Sequence, residues 1–475
     1  MKSIKYKLSL FLLAAVAFGS CKKAFLNDKP YDAVLLVDAI KTESDLQGAV
    51  SGMYSSLRTT DLYGRTLPVK GDLMADNTFV TTSNSGRYIP LNAYLFTNND
   101  AYALAVWTNA YVAIKYANSI IQYGSTITPA NANINEYLGE AYATRALMNF
   151  ELVRNYSHPY TAAPTDPGIP LVLKFDETAV PVRGTVKDVY TQIIADLEKA
   201  YSLMTVYRGT AYFSKYAARA LEARVYQNMG DWANAKTTAL DVINNSGVVL
   251  TPSTGYVAYW NNPAVQAPPA KTETLFEVAS DYTSNNQFDQ IGFIYLTAGG
   301  GYGDILVNAD LYNAYSATDV RKQLIGVGTR SGQTGTAYTC LKYTNAANGT
   351  DKDDTKVLRL SDVMLIAAEA YYNTPDIANA NLYLNKVAQQ RDPSFAGWSD
   401  AGAQVLEDIL VERRKELAFE GNRFWDLVRL QRSFTKTTNQ SPLVTVAVTP
   451  SNNALIFPIP LNELNVSHLQ QNPGF

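Results

Sequence analysis

The sequence predicts a mainly α-helical protein whose scaffold contains helix–turn–helix pairs, joined to a loop-rich region with short strands. Long segments repeat apolar residues at three- and four-residue spacing, and two of them share one pattern of small residues. Residues 246–345 lose this period and are dominated by Gly, Asn, Thr and Tyr. With 475 residues, 47% of them hydrophobic, the chain can bury a sizeable core.

Residues 1–20 predict a signal peptide that does not belong to the fold. Three lysines precede an apolar run at 8–18, which is shorter than the ~20 residues of a membrane span. Gly19 and Ser20 then precede Cys21, and this order resembles the lipobox of bacterial lipoproteins, in which the Cys is acylated. The resemblance implies a lipid anchor at Cys21; an ordinary cleaved signal with a chance Cys is the alternative.

The charge content argues against a nucleic-acid-binding protein, and the cysteine content argues against a fold held by disulfides. The 40 Lys and Arg against 43 Asp and Glu give a net charge of −3, which offers no global basic field for nucleic acid. Cys21 and Cys340 are the two cysteines, so a lipidated Cys21 leaves Cys340 without a disulfide partner. We expect Cys340 to be a small buried hydrophobe.

Helices are expected wherever the helical period holds, and loops where Gly and Pro cluster. Residues 22–42 are interpreted as a tether that leads into the fold. The expected helices are Thr42–Leu57, about 101–123, about 133–155, about 185–206 and 214–245, with loops at 58–100 and 157–185 and a short strand at Thr274–Val278.

Two segments repeat the same spacing of small residues and tyrosine. Small residues let two antiparallel helices approach closely, and the tyrosine fills the space beside them. The pattern resembles the tetratricopeptide helix–turn–helix unit, and ordinary helical hairpins are the alternative. The matched residues are Ala223, Tyr226 and Ala235 in one segment and Ala368, Tyr371 and Ala380 in the other.

Residues 404–432 place charges at helical intervals among apolar residues. Glu412, Glu416 and Glu420 follow each other at four-residue spacing, so they share one helix face. Arg413 and Arg423 stand three residues from a glutamate. Because paired arginines keep carboxylates ionised, the array favours structural ion pairs over the protonated acid that a glycosidase needs.

The same run resembles the hallmark of the SusD/RagB family of outer-membrane lipoproteins, roughly E-R-x-x-E-L-x-x-E-G-x-R-x-x-D-L-x-R. It is met by Glu412, Arg413, Glu416, Leu417, Glu420, Gly421, Arg423, Asp426, Leu427 and Arg429. Other stretches that agree with the family are Gly71–Asp76, Gly168–Val172, Pro458–Pro460 and Gln471–Phe475.

This resemblance implies a SusD-like fold, with a signal peptide at 1–20, an N-terminal helical region at 21–245 and a C-terminal region at 246–475. It also implies a non-catalytic, lipid-anchored protein of the Gram-negative outer membrane that binds oligosaccharides at the cell surface. The implied partner is a SusC-like TonB-dependent barrel, and no cofactor or metal is expected. Lysines follow Cys21, so the sequence gives no independent support for the surface over the periplasmic face.

Aromatic and polar side chains on two loop segments, 76–100 and 246–345, suit a sugar, whose apolar face stacks on rings and whose hydroxyls need hydrogen bonds. The residues predicted to contact the ligand are Arg87, Tyr88, Tyr94, Trp260 and Tyr302. A surface glycan hydrolase and a tetratricopeptide-type scaffold for other proteins are the alternative functions.

Overall fold

The computed structural model describes residues 39–176, 178, 180, 182–261, 271–346, 352–438 and 444–475. The predicted signal peptide and Cys21 lie outside the described residues. Across the described ranges there are sixteen α-helices and ten short strands, and the prediction of a mainly α-helical protein is confirmed. None of the helices in these ranges is long and apolar enough to cross a membrane.

The helices are α1 Glu43–Leu57, α2 Thr66–Leu73, α3 Ile89–Ala93, α4 Ala101–Gly124, α5 Ala132–Tyr156, α6 Val186–Leu203, α7 Lys215–Met229, α8 Trp232–Asn245, α9 Ser253–Asn261, α10 Ile291–Tyr295, α11 Ala309–Asn313, α12 Leu360–Asn373, α13 Ile377–Arg391, α14 Gln404–Glu416, α15 Arg423–Arg429 and α16 Leu461–Ser467. The strands are β1 Thr78–Val80, β2 Pro167–Pro170, β3 Arg183–Thr185, β4 Thr274–Val278, β5 Ile305–Val307, β6 Ile325–Gly328, β7 Ala337–Cys340, β8 Thr355–Arg359, β9 Phe434–Thr437 and β10 Thr445–Val448.

The long helices form the scaffold by packing side by side in chain order. α1 and α5 contact α4, and α6, α7 and α8 follow, each against the helix before it. α12 then packs against α8 although a long connection separates them, and both α13 and α14 contact α12. Helix α1 begins where the sequence predicts it, because Thr42 and Asp45 form a capping box at its start.

Both predicted helix–turn–helix pairs are present, as α7–α8 and α12–α13. Gly230 ends α7 with φ +74°, a left-handed conformation that glycine adopts easily. Asp231 and Asp376 cap the second helix of each pair by accepting the N–H three residues further on. The alanines of the repeated pattern, Ala223, Ala235, Ala368 and Ala380, are fully buried.

Helix α2 corrects the prediction of a loop over residues 58–100. All eight of its residues are buried, so it has no apolar stripe that a sequence pattern could reveal. Pro68 lies in the first turn, where backbone N–H groups lack helical partners in any case. A Cβ on Gly71 would lie 2.0 Å from the Gly421 carbonyl oxygen, so glycine is needed where these two backbones meet.

The strands bring separate loops together. β1, β5, β7 and β6 form one antiparallel sheet in that order, and β4 pairs with β8, β2 with β3 and β9 with β10. The predicted strand at Thr274–Val278 is β4, whose five residues are all buried. Because β1 pairs with β5, the loops at 81–88 and 296–304 emerge at the same end of the sheet.

Lys70 on α2 is buried within an aromatic cage. Its Nζ lies 5.0, 4.6 and 4.5 Å from the ring centroids of Phe424, Trp425 and Phe457, and it has no hydrogen-bond partner in the described part of the chain. Burial lowers the pKa of Lys70 to about 7, although the nearby Glu151 carboxylate opposes this shift. The charged form is therefore unfavourable in the fold.

We expect Lys70→Met to raise the free energy of unfolding by about 1–3 kcal/mol at pH 7, because it removes a buried group without a hydrogen bond. The pKa of Lys70 is about 7 in the fold against 10.5 ordinarily, so between these values the unfolded chain binds one more proton and wild-type stability rises with pH. Urea denaturation at pH 7 and 9 measures both effects.

The variant should lose only part of the pH slope, because burial also lowers the pKa of Lys436 to about 7. Lys199→Met is the matched control, since Lys199 is exposed on α6 and should change stability by less than about 0.5 kcal/mol. A Lys70→Met protein that is less stable than wild type at pH 7 would show that the cage stabilises the ammonium group instead.

Candidate functional site

Two loops form one surface at the end of the four-stranded sheet. The loop at 81–88 and the loop at 296–304 are joined by hydrogen bonds that do not depend on a ligand. The Ser85 N–H donates to the Asp304 carboxylate at 2.9 Å. Arg330 donates to one backbone carbonyl in each loop, at 2.8 and 3.3 Å. A solute that binds this surface would meet groups that are already positioned.

Arg87 and Tyr302 meet where these loops join. The Arg87 Cζ atom lies 3.7 Å from the centroid of the Tyr302 ring, a cation–π contact. The Asp289 carboxylate lies 3.9 Å from Arg87 and 2.6 Å from Arg65. The side chains of Arg87 and Asp289 remain 30% and 47% exposed, so both can hydrogen-bond a solute.

An open cleft of about 540 Å³, within the usual range for small-molecule sites, includes Phe288, the chain neighbour of Asp289, and Gly299 of the loop at 296–304. Tyr282 and Phe288 stand at the cleft with 64% and 60% of their surface exposed. Both rings therefore offer flat apolar faces to solvent, and Phe288 also packs on the buried Phe293 with ring centroids 5.4 Å apart. The cleft is lined by Tyr282, Thr283, Asn285, Gln287, Phe288, Phe293, Gly299, Ala346 and Lys352.

Tyr88 lies beneath this surface, contrary to its predicted role as a ligand contact. It is fully buried, and its ring stacks on Tyr102 with centroids 4.7 Å apart. Its hydroxyl accepts a hydrogen bond from Arg65 at 2.9 Å. Since the ring is buried, we assign Tyr88 to positioning Arg65, which in turn pairs with Asp289.

Trp260 is also buried, with 2% of its surface exposed. The expectation of an exposed ring assumed that residues 253–261 were loop, whereas they form α9 and pack inside. Its ring lies 4.0 Å from Lys342 Nζ and 5.1 Å from Arg359 Cζ, measured to the nearest ring centroid. We therefore assign Trp260 to packing against buried cations, and no ligand can stack on it in this conformation.

Tyr94 lies at the far end of α3 and lines a separate cleft. Its backbone is left-handed, with φ +55°, and its hydroxyl donates to the Met74 carbonyl. Of the five predicted ligand contacts, the structure thus brings together only Arg87 and Tyr302.

Sequence reasoning did not single out Phe288 and Asp289 as site residues. Both lie in the polar run 285–290, where Phe288 is the one apolar side chain. An aromatic residue within a polar stretch was the available signal, although the ring also packs on Phe293 five residues later.

The C-terminal motif is buried in a charge-balanced network instead of lining a cleft. Glu416 is fully buried, and its carboxylate accepts hydrogen bonds from Arg321, Arg359 and Arg391 at 2.9–3.3 Å. Five carboxylates face five cations here: Asp319, Glu273, Glu412, Glu416 and Glu420 against Arg321, Lys342, Arg359, Arg391 and Lys415.

A second buried network joins four helices. Arg413 on α14 contacts both Asp362 on α12 and Asp426 on α15, each at 2.9 Å. Asp362 also accepts from Arg224 on α7, and Arg429 on α15 bridges Asp426 to α12. The network therefore ties the motif to both helix–turn–helix pairs of the scaffold.

Two stretches that match the family pattern, Gly71–Asp76 and the C-terminal motif, contact each other. The Gly421 N–H donates to the Asp72 carboxylate at 2.7 Å, and Arg423 donates to Asp76 through two nitrogens at 2.8 Å. Asp72 and Asp76 belong to the stretch Gly71–Asp76, so this contact links residues that are far apart in the chain.

These contacts are incompatible with Glu416 acting as the protonated acid of a glycosidase. Burial alone would raise the pKa of Glu416, but the charges of Arg391, Arg359 and Arg321 outweigh it and hold that pKa well below its ordinary range. A glycosidase needs one protonated carboxyl beside an accessible sugar. Glu416 is ionised and closed to solvent, so it cannot supply that acid.

The fold and the cleft define the class of protein: a scaffold of stacked helical hairpins that carries an open, aromatic-lined loop cleft. Comparisons with known proteins narrow the class. The model of the SusD family matches residues 327–475, and a family model described as "Starch-binding associating with outer membrane" matches residues 24–227. The chain belongs to the SusD family.

Relatives extend over almost the whole chain. SusD-like protein P2 of Formosa agariphila is 26% identical over 99% of this chain and 100% of its own length. A SusD superfamily structure from Bacteroides thetaiotaomicron superposes with a TM-score of 0.82 at 26% identity, covering 91% of this chain and 100% of the other. A SusD superfamily structure from Bacteroides vulgatus superposes with a TM-score of 0.82 at 27% sequence identity, covering 92% of this chain and 99% of the other.

Proposed function

We propose that the protein binds oligosaccharides at the cell surface without catalysis and delivers them to a SusC-like TonB-dependent outer-membrane transporter. One observation carries the binding proposal: the exposed rings of Tyr282 and Phe288 line an open cleft together with Asn285 and Gln287. Asp289, which pairs with Arg87, directly follows Phe288 in the chain. Rings stack on the apolar faces of sugars, and amides, carboxylates and guanidinium groups bind their hydroxyls.

The family supports the location and the partner. The description of the N-terminal model includes association with the outer membrane and starch binding. A lipid on Cys21 would hold the protein at the outer membrane. The family resemblance implies that its partner there is the transporter. The scaffold then acts as a rigid support, since the buried networks fix the helices that carry the loops.

Native gel electrophoresis through starch, xylan, laminarin or galactomannan tests the binding proposal. We expect at least one polysaccharide to retard the wild-type protein. Changing both Tyr282 and Phe288 to Ala should weaken that binding by about tenfold or more, because aromatic rings that a bound partner covers carry much of the binding energy.

Tyr207→Ala is the matched control, since Tyr207 is 67% exposed but lines a different cleft. Its retardation should equal that of wild type. Binding that survives unchanged in the Tyr282 and Phe288 double variant would remove this cleft from the proposal, and release of reducing ends by pure protein would overturn the claim that it does not cut glycans.

A further inference from the structure

A second cleft lies at the end of α3 that carries Tyr94. Its volume is about 560 Å³, similar to that of the first cleft. Three segments of the chain, 94–98, 451–454 and 474–475, meet there, so the tertiary structure alone creates it. It is lined by Tyr94, Phe96, Thr97, Asn98, Ser451, Asn452, Asn453, Ala454, Gly474 and Phe475.

The cleft combines half-buried rings with amide groups. Tyr94 and Phe475 are half-buried, and Phe96 supports Phe475 from below by stacking at 6.1 Å and 16°. The side-chain amides of Asn98 and Asn453 make no hydrogen bond within the described ranges. Each amide can donate two hydrogen bonds and accept two, so they suit a partner rich in hydroxyls.

The position of Asn453 is set by packing against the last turn of the chain. A Cβ on Gly474 would lie 2.4 Å from its Nδ2 atom, so the asparagine fits against a glycine with φ +91°. The exposed Asn453 amide lines the cleft and forms no hydrogen bond within the described ranges. A residue of this kind can bind a solute without first giving up a protein partner.

No charged side chain lines this cleft among the described residues. The first cleft differs, because the charged side chain of Lys352 lines it. A ligand bound through rings and neutral amides is itself expected to be uncharged, since an ion without a counter-charge gains little from leaving water. The chemistry points to neutral sugar units.

We propose that this second cleft is a separate binding site for neutral saccharide, so that one protein engages a glycan at two places. The proposal rests on the proposed function and deepens it. The two clefts share no lining residue, so each could hold its own sugar units. Two sites on one chain would raise the apparent affinity for a polysaccharide that reaches both well above that for a short oligosaccharide.

Two variants separate the sites. Asn98→Ala with Asn453→Ala alters the second cleft and removes no hydrogen bond from the fold. Phe288→Ala alters the first. The probes are starch, xylan and laminarin in native gels, and the matching hexasaccharides, maltohexaose, xylohexaose and laminarihexaose, in titration calorimetry.

We expect wild-type protein to bind two equivalents of the hexasaccharide whose polysaccharide retards it, and each variant to bind one. Each variant should also bind that polysaccharide about tenfold more weakly than wild type, because avidity is lost. One equivalent in wild type, removed by Phe288→Ala and unaffected by the asparagine changes, would overturn the second site alone. No retardation by any polysaccharide would overturn both proposals.

Discussion

Replacing Glu416 with Ala is expected to lower the free energy of unfolding by about 3–5 kcal/mol. Glu416 accepts hydrogen bonds from Arg321, Arg359 and Arg391, and all four side chains are at most 2% exposed. The five carboxylates and five cations of this network balance, so the variant buries one uncompensated positive charge. Removing one partner of a buried pair costs far more than an exposed pair contributes.

Guanidinium denaturation, compared at matched protein concentration, measures the change. Because a typical domain has only about 5–15 kcal/mol of stability, the soluble yield of the variant should fall as well. Glu416→Gln keeps the shape but not the charge, so it separates the loss of charge from the cavity that alanine leaves.

Glu407→Ala is the matched control on the same helix. Glu407 is 45% exposed and pairs with Arg432, which is 34% exposed, at 2.5 Å. We expect that change to cost less than about 1 kcal/mol, since water screens the pair. Equal effects of the two substitutions would mean that the Glu416 network is not closed to solvent.

Changing Cys21 to Ser is expected to move nearly all of the protein from the membrane fraction to the soluble fraction. A lipobox cysteine receives the acyl chains through its sulfur, and serine cannot take its place in that modification. Acyl chains contribute about 0.8 kcal/mol per buried CH₂ group, and stable attachment needs more than one chain. Fractionation with immunoblotting measures the distribution.

The variant should be expressed in a Gram-negative host without a SusC-like barrel, so that no partner retains the unlipidated protein at the membrane. Cys340→Ala is the control, because Cys340 is fully buried in the fold and plays no part in anchoring. Membrane retention of Cys21→Ser in such a host would refute the lipid anchor.

Much of the fold could be predicted from the sequence because it depends on spacing along the chain. α1, α4, α5 and α6 lie within a few residues of their predicted bounds, since amphipathic periods and caps such as Thr42 are local signals. α2 was not predicted because a short helix that is buried on all sides presents no period. α9 was not predicted because its buried residues, Tyr256, Tyr259 and Trp260, span little more than one helical turn.

The candidate site could be predicted less well. Arg87 and Tyr302 were chosen for their chemistry and do meet, but Tyr88 and Trp260 were chosen on the same grounds and are buried. A tyrosine or tryptophan suits both a core and a sugar site, so residue type does not separate the two. Phe288 was passed over although its ring is exposed.

By itself, the sequence determined the helical scaffold, the paired hairpins and the motif that marks the family, since each depends on residues a few positions apart. Only the tertiary structure decided which rings face solvent, that the motif glutamates are closed off, and that Tyr94 lines a different cleft from Tyr282 and Phe288. Burial is set by contacts between segments far apart in the chain, and such contacts leave no local period to find.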